Sequence, residues 1–375
     1  MAKSNRTKSR NLTLFLAGDV MTGRGIDQAL PQSVDPVLYE TYIKDARNYL
    51  WLAEQENGPV DVPVSYDYIW GDALRVWEEN APDMKLINLE TSITTHPGPW
   101  PGKGINYRMH PGNVRVLTAA GIDHCSLANN HTLDWGRKGL EQTMESLENA
   151  GIRFSGAGGD EKEAAEGSVM ETENGRVLVF SFGLPDSGIP AMWAAQPGLS
   201  GINFLPAMGE KEIQQILSKV NPLKKKEDIV VFSVHWGDNW GYAIPYSRRE
   251  FAHRLIDEGG ADIIYGHSSH HPLGIEVYKE KLIIYGAGDF INDYEGISGH
   301  RQYRGELTLM YFPQIKAAGG ELKSLKLVPM EMKKFRLNRV SRNDALWLQE
   351  MLNSEGEPLG TKMHIDTDNS LLMQW

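Results

Sequence analysis

The sequence predicts an α/β fold, and two observations lead to that class. Short runs of β-branched and other apolar residues, such as residues 229–234, alternate with segments whose apolar residues recur at helical spacing, such as residues 139–150. Five of the strand-like runs end in side chains that can bind a metal ion. Because ligands of α/β proteins collect beyond the carboxyl ends of the strands, the same pattern predicts where the functional site lies.

The first half of the chain contains three predicted strands and four predicted helices. The strands cover residues 11–20, 84–90 and 122–128, and the helices cover residues 35–55, 68–79, 113–120 and 139–150. Aromatic residues are concentrated between positions 39 and 77, where they either pack helices on a sheet or line a substrate cleft. Residues 92–110 form a long loop rich in proline and glycine, and loops of that length are often functional.

The second half continues the alternation. Strands are predicted around residue 169 and at residues 176–183, 229–234, 274–278, 281–285, 307–312 and 325–330, and helices at residues 209–220, 247–258 and 344–352. Beyond about residue 334 the chain becomes more polar. We therefore predict one domain over residues 11–334, followed by a C-terminal extension over residues 335–375.

The composition limits the classes of protein to which the chain can belong. The chain has 375 residues, of which 41% are hydrophobic and 23% charged, an ordinary globular profile. A formal net charge of −11 argues against a large nucleic-acid-binding surface. Cys125 is the single cysteine, so an internal disulfide is excluded and a reducing compartment is compatible.

The N-terminal residues have some features of a secretion signal. Lys3, Arg6, Lys8 and Arg10 precede the apolar residues 12–17. That apolar stretch is too short for a signal and lacks a cleavage site, and no stretch approaches the ~20 apolar residues that span a bilayer. These features predict a soluble, cytoplasmic protein without a membrane span.

Residues 261–272 contain the densest group of metal-binding side chains. A short apolar strand ends at Gly266 and is followed by His267, His270 and His271. Imidazole is the commonest protein ligand of transition metals, so this pattern favours a metal site. The alternative is a half-exposed cluster of hydrogen-bonded histidines.

The other strand ends carry donors of the same kind. The residues that follow separate strands are Asp19, Glu90, Asn130 with His131, His235, and His267 with His270. Each has an ordinary structural explanation when taken alone, such as a helix cap for Asn130 or a core histidine for His235. Together they offer mixed oxygen and nitrogen donors that suit Mn, Fe, Zn or Mg. Their number is sufficient for one ion or for two ions about 3.5–4 Å apart.

Several motifs resemble the CapA family of poly-γ-glutamate (capsule) biosynthesis proteins, a branch of the calcineurin-like metallophosphoesterases. The motifs are GDVMTGR at residues 18–24, INLE at 87–90, SLANNHTLDWG at 126–136, GIRFSGAGGDEKEAA at 151–165, VHWG at 234–237, GHSSHHP at 266–272 and YGAGDF at 285–290. The resemblance spans roughly residues 12–329.

The resemblance implies a four-layer α-β-β-α sandwich with two mixed sheets and a centre for one or two divalent metal ions. The residues it implies as metal ligands are Asp19, Glu90, Asn130, His235, His267 and His270, with Glu90 as a candidate bridge and His270 in the second site. It further implies His131 as a proton donor or anion stabiliser above the substrate, Asp134 as the residue that orients it, and Arg24 as a binder of an anionic group.

Three features differ from the usual metallophosphoesterase pattern. Met21 occupies the position of a histidine, and Asp289 occupies the position of the asparagine in the GNF motif. The interval between Asp19 and Glu90 also looks long, at 71 positions.

Three functions fit the sequence. The first is a metal-dependent hydrolase of a phosphoester or related anionic substrate, in which His131 assists the leaving group. The second is a non-catalytic accessory protein that binds poly-γ-glutamate or its assembly machinery. The third is a thiol hydrolase that uses Cys125 beside His124, although a lone cysteine in an apolar strand is far more often a core residue.

Overall fold

Two mixed β-sheets form the centre of the computed structural model, which describes residues 11–297, 299–317 and 319–375. The α-helices are α1 (Arg24–Ala29), α2 (Arg47–Asn57), α3 (Ala73–Asn80), α4 (Arg115–Ala119), α5 (Gly136–Asn149), α6 (Glu161–Ala165), α7 (Glu210–Val220), α8 (Tyr246–Asp257) and α9 (Arg342–Gly356). Short 3-10 helices cover Tyr68–Trp70, Pro111–Val114, Pro185–Ser187, Ala191–Trp193, Arg301–Tyr303 and Glu357–Leu359.

The strands differ widely in length. In the first half of the chain they are β1 (Asn11–Val20), β2 (Met84–Leu89), β3 (Ser92–Ile93), β4 (Arg108–Met109), β5 (His124–Ser126), β6 (Arg153–Ser155), β7 (Ala157–Gly158), β8 (Ser168–Glu171) and β9 (Arg176–Gly183). In the second half they are β10 (Gly201–Ile202), β11 (Ile229–His235), β12 (Ile263–His267), β13 (Ile275–Tyr278), β14 (Lys281–Ile284), β15 (Asp289–Ile291), β16 (Leu307–Lys316), β17 (Leu322–Met332), β18 (Leu337–Arg339), β19 (Lys362–Ile365) and β20 (Leu371–Gln374).

Both large sheets combine parallel and antiparallel strands: the first is antiparallel at one side only, and the second is antiparallel at both edges. The first sheet runs in the order β19-β20-β17-β16-β1-β2-β5-β6, with β15 beside β1 and β18 beside β17. Strands β1, β2, β5 and β6 are parallel, whereas β16 pairs with β1 in the antiparallel sense. The second sheet runs in the order β13-β14-β12-β11-β9-β8, with a parallel centre of β9, β11, β12 and β14. Because parallel strands have their carboxyl ends at one edge, both sheets can present polar side chains at one place.

Side chains that alternate between the two faces of the strands pack the two sheets and the helices into a four-layer sandwich. In β1, Phe15 and Ala17 pack toward the first helical layer, whereas Leu14 and Leu16 pack between the two sheets. In β11, Phe232 and the other side chains on the same face of the strand pack against α7 and α8. The side chains on the opposite face join the core between the sheets. This is the period-two pattern expected of strands buried on both faces. The predicted α-β-β-α architecture is confirmed.

The region between β1 and β2 contains less helix than the sequence predicted. The helix expected over residues 35–55 is restricted to α2, because the preceding segment folds back through a bridge between Val37 and Asp45. The helix expected over residues 68–79 is interrupted at Gly71, which has a φ of 43°. The aromatic residues divide accordingly: Tyr49, Trp70 and Trp77 are buried in the core, whereas Tyr39, Tyr42 and Trp51 are exposed.

The C-terminal residues add to the first sheet. Helix α9 begins two residues before the predicted range 344–352 and ends four residues after it, at Gly356. Strands β19 and β20 were not predicted. Strand β20 pairs with β17, and buried residues of α9 and both strands join the core between the sheets. The proposed boundary at residue 334 therefore does not coincide with a break in the sheet.

Two sequence expectations concern membranes. The basic residues Lys3, Arg6, Lys8 and Arg10 lie outside the described residues. Among the helices that the structure describes, none is both long and apolar enough to cross a membrane.

Candidate metal centre

Three strand ends bring a carboxylate and two imidazoles together. Asp19 lies near the end of β1, and His235 and His267 are the last residues of the adjacent strands β11 and β12, where they are paired in register. Their potential ligand atoms all lie within 4.8 Å of one another. All three side chains are buried. The two sheets thus contribute to one pocket, as the strand-end pattern predicted.

Close backbone contacts hold β1 in this position. A Cβ atom on Gly18 would lie 1.7 Å from the carbonyl oxygen of Gly288, so only glycine fits there. Ser268, directly after His267, has a φ of 103°, a strained conformation for a residue with a side chain. Its backbone N–H donates to Oδ2 of Asp19 over 3.2 Å, which ties the end of β12 to the end of β1.

A second carboxylate is held beside Asp19. The Nδ2 group of Asn88 donates to Asp19 Oδ1 at 2.8 Å and to Glu90 Oε2 at 3.1 Å. Asn129 in turn donates to Asn88 Oδ1 at 3.0 Å. Burial and the nearby Asp289 carboxylate raise the pKa of Asp19 to about 7, and burial and the Asp19 charge raise the pKa of Glu90 well above its usual value. A divalent cation would stabilise both ionised carboxylates.

The histidines are in the protonation state that a metal ion requires. The Nδ1 atoms of His235 and His267 lie 2.8 Å apart. Burial and the neighbouring His267 lower the pKa of His235, and burial lowers the pKa of His267 to about 3, so both rings are neutral near pH 7. Two buried atoms, Nε2 of His235 and Oδ1 of Asn130, have no hydrogen-bond partner within the described part of the chain. Buried polar atoms are nearly always hydrogen-bonded. Each of these two unpaired atoms can offer a lone pair to a divalent metal ion, so they fit a metal site.

His270 contacts the carboxylate of Asp289, the residue that occupies the asparagine position of the GNF motif. Its Nδ1 atom is 2.8 Å from Oδ1 of Asp289. Burial opposes protonation of His270, but the Asp289 charge outweighs it and raises the pKa. Asp289 is paired in register with Asp19 through β15 and β1. Asp289 therefore extends the carboxylate side of the centre toward His270.

Met21, which stands where the metallophosphoesterase pattern has a histidine, lies in an apolar and aromatic environment. Met21 is fully buried, and the hydroxyl of Tyr294 donates to its Sδ atom at 3.4 Å. The Tyr294 ring packs edge-on to His270, with 5.6 Å between ring centroids. A thioether is a weak ligand for Mg or Mn, and the group of ligand atoms within 4.8 Å of one another contains Asp19, His235 and His267 but not His270, Asp289 or Glu90.

His131 and Asp134 form a pair at the mouth of the centre. Nδ1 of His131 lies 2.7 Å from Asp134 Oδ2, and Nε2 lies 3.8 Å from Glu90 Oε1. Burial lowers the pKa of His131 to about 4. The backbone N–H of Tyr107 also donates to Asp134 Oδ2 at 2.6 Å. Asp134 therefore fixes the orientation of the ring and leaves Nε2 turned toward the carboxylates.

Sequence reasoning missed Lys103, which contacts this pair. Its Nζ atom donates to Asp134 Oδ1 and to the backbone oxygen of Asn130, and lies 3.1 Å from His131 Nδ1. Lys103 comes from the long loop at residues 92–110, which the sequence analysis did single out by its length. A lysine within that loop was the available signal, but its contact with His131 depends on tertiary folding.

Arg24 does not have the environment expected of an anion binder. Its guanidinium donates to Asp293 through Nε and Nη2 and to Glu40 through Nη1, and the side chain is only 3% exposed. The rings of Tyr49 and Tyr107 lie 4.0 and 4.2 Å from Cζ. A guanidinium with two carboxylate partners has little capacity left for a substrate anion. Its contacts instead indicate a structural ion pair that joins distant segments.

His271 differs from its neighbours in the same motif. Its Nε2 atom accepts from the backbone N–H of Gly241 at 3.1 Å, and its ring stacks on Tyr303 with 4.3 Å between centroids. His271 is therefore a hydrogen-bonded histidine, as in the alternative interpretation, but it is buried and not half-exposed.

The thiol of Cys125 is unsuited to nucleophilic catalysis. It is fully buried, and burial raises its pKa. Burial also lowers the pKa of His124 to about 3. Because the thiolate is the reactive form, these environments argue against a thiol hydrolase. We expect Cys125→Ala to leave metal binding and activity within twofold of wild type, measured on the same preparations.

Comparison with known proteins relates the chain to capsule synthesis proteins. The family model for the bacterial capsule synthesis protein PGA_cap matches residues 13–294. A probable polyglutamine synthesis accessory protein of Mycobacterium tuberculosis is 42% identical over 362 residues, which are 96% of this chain and 95% of that protein. The capsule biosynthesis protein CapA of Bacillus anthracis is 32% identical over 295 residues, which are 78% of this chain and 62% of that protein.

Among solved structures, a phosphatase from Mycoplasma pneumoniae aligns with a TM-score of 0.45 and 10% identity over 86% of this chain and 95% of that chain. That likeness is too low to carry an argument.

Proposed function

Since this chain belongs to the PGA_cap family of bacterial capsule synthesis proteins, we propose that it is a metal-dependent hydrolase of a phosphoester or a related anionic substrate. The observation that carries the proposal is the buried group of Asp19, His235 and His267, whose ligand atoms lie within 4.8 Å of one another. The orphaned Nε2 atom of His235 supports it further. Burying these groups without a ligand would be unfavourable.

Residues of both sheets would hold the cation. Asp19, His235 and His267 form the nearest donor set, and Asn130 and Glu90 extend it. His270 and Asp289 would serve a second ion beside the first. A divalent ion of the Mn, Fe, Zn or Mg type would supply Lewis acidity toward a phosphoryl oxygen and toward water.

His131 would perform the proton-transfer work. Asp134 holds Nδ1, so Nε2 faces the space beside Glu90 where a substrate oxygen would lie. Groups in this position commonly move a proton to or from the reacting oxygen. The burial of the pair excludes bulk water from the ring, which strengthens its electrostatic interactions.

The substrate class follows from charge. Lys103 is partly exposed at the mouth of the centre and carries a positive charge next to His131. The cations bound at the centre would attract a phosphate or carboxylate, with the Lys103 ammonium beside them in its ion pair with Asp134. The names of the relatives connect them with capsule and polyglutamine synthesis, so the anionic substrate we favour is an intermediate in the assembly of a capsule polymer.

A direct assay tests the hydrolase. The purified chain is incubated with Mn²⁺ and with generic phosphomonoesters and phosphodiesters, and product release is measured against a His131→Ala variant prepared in parallel. We expect turnover by the wild type that falls with His131→Ala. If the metal-loaded wild type releases no more product than the variant with every ester tried, the hydrolase proposal fails.

The second candidate is a binding role without turnover. It is favoured by the name of the M. tuberculosis relative, a probable polyglutamine synthesis accessory protein. In that case the metal-loaded chain would bind poly-γ-glutamate, measured by calorimetry, while cleaving no ester. Ester turnover without binding of the polymer would eliminate this candidate.

Lys103 provides a prediction within the hydrolase proposal. Lys103→Met removes the ammonium that contacts Asp134 and His131, so kcat should fall about 10- to 100-fold with metal content unchanged. The matched control is Lys138→Met, which replaces an exposed lysine on α5. Equal kcat values in the two variants would remove Lys103 from the site.

The raised pKa of Asp19 gives a pH prediction for the metal-free protein. The folded state holds the Asp19 proton up to about pH 7, whereas the unfolded chain releases it near pH 4. The stability from this group is therefore fully present below pH 4 and is lost as the pH rises toward 7. We therefore expect Asp19 to contribute a decrease in the Tm of the metal-free chain over this range, against the opposite contribution of buried histidines whose pKa values are lowered.

Asp19→Asn should weaken that decrease, because the variant carries no ionisable group there. The control Asp238→Asn, at an exposed position, should leave the wild-type slope intact. A Tm profile of Asp19→Asn that is parallel to wild type would contradict the assignment.

A further inference from the structure

Two hydrogen-bonded tyrosines connect the candidate proton donor His131 to His270. The ring of Tyr107 packs edge-on against His131, with 4.6 Å between centroids, and the ring of Tyr294 packs edge-on against His270, with 5.6 Å between centroids. The hydroxyl oxygens of the two tyrosines lie 2.9 Å apart. We call Tyr107 and Tyr294 the tyrosine pair. The pair therefore runs along the candidate metal centre from one of these histidines to the other.

The two members of the tyrosine pair differ in burial. Tyr107 is 1% exposed, so it is enclosed by protein. Tyr294 is only partly buried, and the side chain of the neighbouring His270 is 11% exposed. A molecule that enters the centre beside His270 therefore meets Tyr294 and not Tyr107.

The turn after β15 fixes the position of Tyr294. The backbone N–H of Tyr294 donates to Oδ1 of Asn292 at 3.1 Å, and Nδ2 of Asn292 donates to Oδ2 of Asp289 at 3.1 Å. In the same turn, Asp293 accepts from Nε of Arg24 at 3.2 Å. These contacts hold the phenol in place before a substrate binds, so little further order is required when it makes a new hydrogen bond.

The number of available hydrogens sets the direction of the bond within the tyrosine pair. Each hydroxyl donates one hydrogen. Among the described residues, the hydroxyl of Tyr107 bonds only to that of Tyr294. If Tyr294 donated this bond, the hydrogen of Tyr107 would be buried without an acceptor, which is costly. Tyr107 therefore donates to Tyr294, and Tyr294 donates its own hydrogen to Sδ of Met21 at 3.4 Å.

Met21 is a weak partner for the hydrogen of Tyr294. A thioether sulfur accepts hydrogen bonds poorly, whereas a hydrogen bond to an anionic oxygen is shorter and about twice as strong as a neutral one. Rotation about the bond between the phenol ring and its oxygen moves the hydrogen away from the sulfur. The ring and the bond from Tyr107 stay in place during this rotation. The hydroxyl of Tyr294 is thus a positioned donor whose present acceptor is easily replaced.

We propose that the hydroxyl of Tyr294 donates a hydrogen bond to a phosphoryl oxygen of the substrate, beside Met21. This proposal rests on the proposed function and adds a residue that touches the substrate. Tyr107 is a positioning residue, because its hydrogen bond holds the oxygen of Tyr294. The phenol keeps its hydrogen, and the phosphoryl oxygen replaces the sulfur as acceptor. A phosphoryl group suits this arrangement because one oxygen accepts from Tyr294 while others remain for the cation.

Binding of inorganic phosphate tests this contact without requiring turnover. The full chain is loaded with Mn²⁺, dialysed and titrated with inorganic phosphate in a calorimeter, alongside Tyr294→Phe. The variant keeps its ring against His270, so its Kd for Mn²⁺ should stay within twofold of wild type. We expect its Kd for phosphate to rise about 10- to 100-fold, the usual cost of losing a hydrogen bond to a charged group. The control is Tyr68→Phe, because Tyr68 is also partly buried and its hydroxyl donates to the backbone oxygen of Lys334 at 2.9 Å.

Met21→Leu supplies a readout of the opposite sign. The change removes the sulfur acceptor, so the hydrogen of Tyr294 leaves no partner behind when phosphate binds. We expect the Kd for phosphate to fall about two- to threefold in this variant. A merely structural role of these residues would instead raise the Kd for phosphate in both Tyr294→Phe and Met21→Leu.

The outcomes separate this inference from the proposed function. Equal phosphate affinities of Tyr294→Phe and Tyr68→Phe, a raised Kd for phosphate in Met21→Leu, or loss of Mn²⁺ binding by Tyr294→Phe would overturn the contact and leave the proposed function standing. Failure of the wild type to bind phosphate while it holds Mn²⁺ would also overturn the contact. A wild-type chain that binds no manganese, zinc or magnesium would overturn both the contact and the proposed function.

Discussion

His267→Ala should abolish stable binding of the cation, and His235→Ala should do the same. Each removes an imidazole from the nearest donor set and leaves only Asp19 and one histidine of that set, which weakens the site strongly for a transition metal. We expect the Kd for Mn²⁺ or Zn²⁺ to rise more than 100-fold, beyond the 10- to 100-fold that loss of an outer-shell partner costs. Calorimetry on chelator-treated protein measures this effect.

The matched control is His271→Ala. His271 lies in the same segment and is buried, but its ring nitrogens are paired with backbone groups. Thermal unfolding of the metal-free variants establishes that they are folded, and His267→Gln offers a less disruptive change if alanine unfolds the chain. Metal affinities of His235→Ala and His267→Ala equal to that of His271→Ala would remove both histidines from the ligand set.

His131→Ala should reduce activity and leave metal binding intact. The ring contacts Asp134 and Lys103 and approaches Glu90 only to 3.8 Å. We therefore expect metal content to remain within twofold of wild type while kcat falls about 10²- to 10⁴-fold, the usual contribution of a group that transfers protons. Parallel elemental analysis and ester hydrolysis provide the two readouts.

Two results would contradict this role for His131. Loss of metal together with activity would make His131 a ligand, and unchanged kcat would exclude it from the chemistry. Asp134→Asn separates orientation from charge, because the amide keeps a partner for Nδ1 while its charge is removed. We expect an intermediate decrease in kcat for that variant.

The parts of the fold that could be predicted are those with local sequence signals. The long apolar strands β1, β9 and β11 have continuous buried patterns, and the polar residues at their ends showed where the two sheets would present donors. The strands β19 and β20 were missed because each has only four residues and lies in a largely polar C-terminal segment. Runs this short are at the lower limit at which alternation indicates a strand.

The candidate site was predictable to the same extent. Asp19, His235 and His267 stood out because metal-binding side chains at strand ends are recognisable in the sequence. The environment of Arg24 was not recognisable, since its partner Asp293 lies 269 positions away. The role of Lys103 depends likewise on contacts between distant segments, for which one sequence holds no local pattern.

Elemental analysis of the untagged, purified chain tests the central claim most directly. Wild-type protein should retain between one and two equivalents of a divalent transition metal or magnesium per chain, and Asp19→Asn combined with His267→Ala should retain less than about a tenth of that amount. A wild-type chain that carries no metal, and takes up none after dialysis against Mn²⁺, Zn²⁺ or Mg²⁺, would contradict the account.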